Sequence, residues 1–275
     1  MTGGQWTRFV ALGDSFTEGM SDLRGDGTYR GWADRVAEVL AATNPEFRYA
    51  NLAIRGRLFK TVVNEQVPSA MRMLWHDRPD GPDTEPAPGR SLVSFAAGGN
   101  DALRTGFDLP TIAGRLDWVV GRLMDAGATV LLLTGADVTF VLPGRRIVRP
   151  RAEAYNDVIR QTAERHGAVL VDLWPDPGFA DRRMWSVDRL HLSSRGHQRA
   201  AALVLAGLGV ATDPAWTAEL PVAPPRPWLA ERGDDLRWAG RYFAPWVRRR
   251  LTGRSSGDAV TAKRPTLDPF AEPPR

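Results

Sequence analysis

Short apolar runs alternate along the first two-thirds of the chain with longer segments whose apolar residues recur every three or four positions. The runs at 9–12, 91–97, 129–134 and 168–172, with a further segment at 47–54, predict five strands, the apolar ones suited to burial on both faces of a parallel sheet. Between them, 32–40, 60–75, 110–126, 149–166 and 198–208 have helical spacing, with Pro68 interrupting the second of these. Gly127 and Gly167 follow two of the helices as stops, and Ser193 or Ser194 can cap the last. Residues 21–31 and the four-proline segment 78–89 read as loops. Strand and helix in alternation imply an α/β fold with helices on both faces of the sheet.

Near residue 210 the pattern changes. Pro, Arg and Trp dominate from there on, with one amphipathic stretch at 234–251. The expected organisation is a catalytic domain over 1–209, an extension over 210–251 and a disordered tail over 252–275, which has few apolar residues. Charge follows the same division: residues 221–275 carry 11 Lys/Arg against 6 Asp/Glu, so the net charge of +4 belongs to the extension. The high isoelectric point therefore does not mark the globular part as a nucleic-acid binder. The absence of cysteine excludes a disulfide framework, thiol catalysis and cysteine-based metal sites. The amino terminus has no basic segment followed by an apolar stretch, so a cytoplasmic location is expected, and no apolar run is long enough to span a bilayer.

The first apolar run stops abruptly at Gly13-Asp14-Ser15. Gly13 permits a sharp turn, which puts Ser15 at the carboxyl end of a strand, where open α/β sheets bind ligands. A serine hydroxyl needs a base, an orienter for that base, and donors for an oxyanion. In Asp188-Arg-Leu-His191 a carboxylate precedes a histidine by three residues, so it can bond Nδ1 and leave Nε2 facing the nucleophile. Gly56, after the second strand, can present a backbone N–H, and Asn100, after Gly98-Gly99, a side-chain amide.

Together, Gly13-Asp14-Ser15, Gly56, Gly98-Gly99-Asn100-Asp101 and Asp188-Arg-Leu-His191 resemble the SGNH (GDSL-type) hydrolase family over roughly residues 8–208. The resemblance implies a three-layer α/β/α flavodoxin-like fold with a five-stranded parallel sheet. It also implies Ser15 as nucleophile, His191 as base, Asp188 as orienter, and Ser15, Gly56 and Asn100 as oxyanion donors. Phe16, where Leu is common in that family, and the bulky Arg57 after Gly56 depart from the pattern on the substrate side. The implied activity is hydrolysis of carboxylic esters of small or medium acyl chain with no metal or organic cofactor. Acyltransferase, thioesterase, lysophospholipase and carbohydrate deacetylase chemistry would use the same residues.

Other polar residues have plainer readings. His197 at a helix start suits packing or capping rather than metal binding, and His76 and His166 suit helix ends. Asp137 stands at the sheet end that would line the site, and Trp185 suits either an acyl pocket or the core. Trp238, Tyr242, Trp246 and Arg248-Arg-Arg250 give the extension a basic amphipathic character, so a membrane- or nucleic-acid-binding module with a vestigial triad is the reading from another class. A helix packed on the catalytic domain is the expected outcome, with a small-molecule ester as partner, no nucleic acid, and no oligomeric state indicated.

Overall fold

The computed structural model describes residues 6–76, 90–139, 145–221, 228–252 and 255–270. In chain order its elements are β1 (Arg8–Gly13), α1 (Ser15–Glu18), α2 (Gly31–Ala42), β2 (Arg48–Asn51), α3 (Phe59–Thr61), α4 (Val67–His76), β3 (Ser91–Ala96), α5 (Gly99–Ala102), α6 (Leu109–Asp125) and β4 (Ala128–Leu133). There follow α7 (Arg145–His166), β5 (Val169–Val171), α8 (Ser194–Gly207), α9 (Trp228–Trp238), α10 (Ala244–Leu251) and β6 (Arg264–Pro269).

The strands form one sheet in the order β5-β4-β3-β1-β2-β6, parallel except for β6. The first five follow the doubly wound flavodoxin-like order, whose direction of winding reverses between β1 and β3. Loops leaving those two strands part to opposite faces and leave a crevice at their carboxyl ends. Ser15 follows β1 and Asn100 follows β3, so both candidate residues stand at that crevice.

Side chains alternate across the pleat and are apolar on both sides, which explains the uninterrupted apolar runs. Val10, Leu12, Val93, Phe95, Val130 and Leu132 pack on one face with Leu116, Val119, Val120 and Leu123 of α6. Phe9, Ala11, Leu131 and Leu133 pack on the other with Trp32, Val36 and Leu40 of α2 and Ala200, Ala201, Val204 and Leu205 of α8. The result is three layers, with the sheet in the middle.

Three elements differ from expectation. Residues 62–66 form a π-turn between α3 and α4, just before Pro68. Proline has no N–H to bond back into the preceding turn, and a widened turn accommodates that loss. The helix expected over 149–166 begins at Arg145 and carries Pro150 inside it. The largest difference is the tail: instead of disorder, residues 264–269 pair antiparallel with β2 as a sixth strand, burying Leu267 against the α6-side core. Phe270 lies 5.9 Å from the ring of Tyr49, and Arg264 covers both rings. An edge strand needs only one inward-facing side, so a proline-containing segment of low hydrophobicity can still form one.

The loop expected over 78–89 lies outside the described residues. Among the described residues no helix is long and apolar enough to cross a membrane.

Candidate active site

Gly13 ends β1 with φ +156°, and a Cβ there would collide with the Ala96 carbonyl oxygen and Thr17. The turn is therefore open to glycine alone. Gln66, from the π-turn, satisfies both backbone groups of Gly13: its Oε1 accepts from the Gly13 N–H at 2.8 Å and its Nε2 donates to the Gly13 carbonyl at 2.9 Å. Asp14 caps α1 by accepting from the Phe16 N–H at 3.1 Å. Ser15 is the first residue of that helix, where a backbone N–H has no intrahelical partner.

The loop before α8 brings the other half. Trp185 bridges Leu192, the Ser186 N–H donates to the His191 carbonyl at 2.8 Å, and Arg189 is held at φ +60° to close the turn. His191 then lies between two partners, with Nε2 3.0 Å from Ser15 Oγ and Nδ1 2.6 Å from Asp188 Oδ2. The other Asp188 oxygen accepts from the N–H groups of Leu190 and His191, each at 3.0 Å. Burial pushes the Asp188 carboxyl up, but the His191 bond and charge together with those two N–H groups outweigh it and hold its pKa below the ordinary value. An ionised carboxylate fixed by these three bonds can bond only Nδ1–H, which leaves Nε2 as an acceptor from the Ser15 hydroxyl.

Ser15, Gly56, Asn100, Asp188 and His191 all line one cavity of about 340 Å³. The Asn100 amide nitrogen donates to Asp14 Oδ2 at 3.0 Å and to the Arg57 carbonyl at 3.2 Å. A second cavity of about 200 Å³ shares Ser15, Asn100 and His191 and runs inward among Ala97, Leu133, Tyr155, Ile159, Trp174 and Trp185.

The residues with plainer readings fall into place around the site. His197 is buried, accepts from the Trp32 N–H at Nδ1 and faces the Met20 carbonyl with Nε2; burial pushes its pKa down to about 4, so it is a neutral packing residue. Asp137 bonds Thr139 and pairs with Arg149. His166, at the end of α7, pairs with Asp117. Trp185 belongs to the core and also lines the inner cavity.

Two groups of site residues escape the sequence reading. Asp14 and Gln66 support the turn that carries Ser15, and only the position of Asp14 within Gly-Asp-Ser hints at this. Trp238, Tyr242, Phe243 and Trp246 wall the larger cavity together with Ser255 and Ser256. The spacing of those aromatics along one helix face was the available signal.

Asp14 gives the site a pH signature. Burial is the largest influence on its carboxyl and raises its pKa to about 6; the Phe16 N–H, His191 and Asn100 pull it down, and Asp101 adds to the rise. Below the ordinary value of 3.8 the carboxyl is protonated in both folded and unfolded chains. As pH rises the unfolded chain releases the proton first, so stability falls until the folded group also ionises near 6, by about 3 kcal/mol in all. Asp14→Asn is expected to lack this loss. The difference in stability between wild type and variant, from urea midpoints, should therefore shift against the wild type between pH 4 and pH 7; parallel curves would refute the assignment.

Comparison with known proteins matches this architecture. Residues 11–199 fit the model of the GDSL-like lipase/acylhydrolase family. Among solved structures, an acetylxylan esterase from Geobacillus stearothermophilus is 20% identical with a TM-score of 0.58, the alignment covering 76% of this chain and 97% of that one. A lipase/acylhydrolase from Enterococcus faecalis is 22% identical with a TM-score of 0.52, covering 73% and 94%. An alpha/beta hydrolase from the metagenome of Lake Arreo, Spain, is 24% identical with a TM-score of 0.54, covering 74% and 95%. No curated protein matches the chain. The family model takes in every candidate residue from Ser15 to His191, and the chain belongs to the GDSL-like lipase/acylhydrolase family of ester hydrolases.

Proposed function

We propose that the protein hydrolyses carboxylic esters of small or medium acyl chain, with Ser15 as nucleophile, His191 as base and Asp188 as its orienter. The observation that carries this reading is the hydrogen-bonded series Ser15 Oγ, His191 Nε2, His191 Nδ1 and Asp188 Oδ2, opening on cavities at the sheet's crevice. Ser15 Oγ attacks the ester carbonyl as His191 Nε2 takes its proton. The tetrahedral intermediate collapses, the alkoxide leaves with that proton, and water attacks the acyl-enzyme under the same base. No step requires a metal or organic cofactor.

The N–H groups of Ser15 and Gly56 and the Asn100 amide receive the oxyanion. Asn100 holds Asp14 with one amide hydrogen and the Arg57 carbonyl, at the longer distance of 3.2 Å, with the other. An oxyanion is the stronger acceptor, so the second N–H turns its hydrogen bond from the Arg57 carbonyl to the oxyanion as negative charge develops. Asn100→Ala is expected to lower kcat by about 10² to 10³ with KM little changed. An unchanged kcat would remove Asn100 from this role.

The test of the reading as a whole is hydrolysis of p-nitrophenyl esters from acetyl to decanoyl, together with an organophosphonate probe. Turnover with a maximum among the shorter acyl chains and a phosphonate adduct mapped to Ser15 are expected. Folded protein giving neither would overturn it. The tail favours no nucleic-acid or membrane-binding alternative, because its aromatic face is turned to the cavity.

A further inference from the structure

The family match ends at residue 199, yet the larger cavity is completed by residues beyond it. Trp238 anchors the tail helix to the catalytic loop: its Nε1–H donates to the Asp188 carbonyl at 3.0 Å, and the Arg189 guanidinium lies 4.7 Å over its ring. Arg189 also pairs with Asp235 at 2.7 Å. From that anchor Trp238, Phe243 and Trp246 form a continuous stack, with centroid separations of 5.6 and 5.9 Å. Ser255, which also lines the cavity, sits over Gly56, where any Cβ would strike its hydroxyl. The tail thus supplies two walls of a cavity whose floor is the catalytic serine.

We infer that this cavity binds the alcohol portion of the ester, and that this alcohol carries a flat or ring-shaped group, aryl or glycosyl. The inference rests on the Ser15–His191 reading above. His191 must return the Ser15 proton to the departing oxygen, so the leaving group lies against His191. Both cavities touch His191, but they offer different surroundings. The inner one is lined by aliphatic and core aromatic side chains such as Leu133, Ile159 and Trp185, which suits an acyl chain. The outer one alone reaches Gly56 and Asp188 and ends at the stacked aromatics, and its volume of about 340 Å³ exceeds what a methyl or ethyl group fills. Stacked aromatic side chains present broad apolar surface that a ring covers and a short alkyl group does not.

The test uses the full chain with Trp246→Ala, which removes part of the stack, and Ser256→Trp, which narrows the cavity from the other wall at an exposed position. Methyl acetate, phenyl acetate and an O-acetylated methyl glucoside share an acyl group and differ in alcohol. Phenyl esters from acetyl to octanoyl share an alcohol and differ in acyl length. Both variants are expected to lower kcat/KM about tenfold for one or both ring esters, which tells aryl from glycosyl, while methyl acetate changes less than twofold and the acyl-length profile keeps its shape. Equal losses on all three acetates, a shifted acyl profile, or no change in either variant would each overturn the assignment. Saturation-transfer NMR of phenol and methyl glucoside with Ser15→Ala, with and without Trp246→Ala, reads occupancy without chemistry. Ring binding that depends on Trp246 in a wild type that neither turns over esters nor reacts with phosphonate would refute the catalytic reading and leave the cavity's occupant standing. The absence of both turnover and binding would refute the two together.

Discussion

Ser15→Ala is expected to yield a folded protein whose ester turnover has dropped by about 10⁴-fold or more, with the organophosphonate adduct gone. The size of this loss follows from the geometry. Ser15 Oγ is the atom that His191 Nε2 faces at 3.0 Å, and Gly56, Asn100 and Asp188 line the same cavity, so under the proposed mechanism removing the nucleophile idles the whole assembly. Residual activity from polarised water would not approach the wild-type rate, because the oxyanion donors alone recover only part of the acceleration. Folding should be spared. The serine side chain is half-buried at a helix start, the cap is made by Asp14, and alanine is tolerated at that position. His191→Ala should fall by a comparable factor, and Ser15→Ala with His191→Ala together should lose little more than either alone, since members of one relay act as a unit. Steady-state rates on p-nitrophenyl acetate, with thermal unfolding run in parallel, check this. A Ser15→Ala variant within tenfold of wild type would show that another group makes the attack.

Why these residues were legible in the sequence and others were not is a matter of range. Ser15, Asp188 and His191 are set by local turns whose residue types are specific: a glycine with positive φ before the serine, and an aspartate that satisfies two N–H groups of its own turn before reaching His191. The five parallel strands were legible for the related reason that burial on both faces erases polar positions, and their order places the site at the switch between β1 and β3. Contacts across the chain left no such mark. Gln66 reaches Gly13 from 53 positions away, through a π-turn that apolar periodicity does not report. The sixth strand was hidden because composition measures how much apolar surface a segment can bury by itself. Residues 264–269 bury one leucine and gain the remainder of their order from β2, from Tyr49 and from charge.

That charge is the basis of the second large effect, expected from Lys263→Met. Lys263 reaches from the tail into a buried cluster beside α2, where its ammonium donates to the Tyr29 carbonyl at 3.1 Å, the Arg30 carbonyl at 2.8 Å and the Asp34 carboxylate at 2.8 Å. These three acceptors use all three ammonium hydrogens. Burial pulls the Lys263 pKa down, and Asp34 opposes it, so the amine is a desolvated cation kept charged by its partner. Methionine preserves the stem and the packing but removes one donor each from the Tyr29 carbonyl, the Arg30 carbonyl and Asp34. Asp34 retains Arg24 at 3.3 Å and the Tyr49 hydroxyl at 2.8 Å, so the expected cost is at the low end for breaking a buried pair, about 3 kcal/mol. The urea midpoint should fall accordingly. Because Lys263 directly precedes β6, limited proteolysis should also cut the tail of the variant earlier than that of the wild type. The same loosening frees Ser255 and Ser256 from the mouth of the site, so the preference among alcohols should weaken while phosphonate labelling of Ser15 persists. Wild-type stability in Lys263→Met, with an equally protected tail, would mean that the strand is held by its backbone pairing and Leu267 alone, and that the buried ammonium only breaks even against its desolvation.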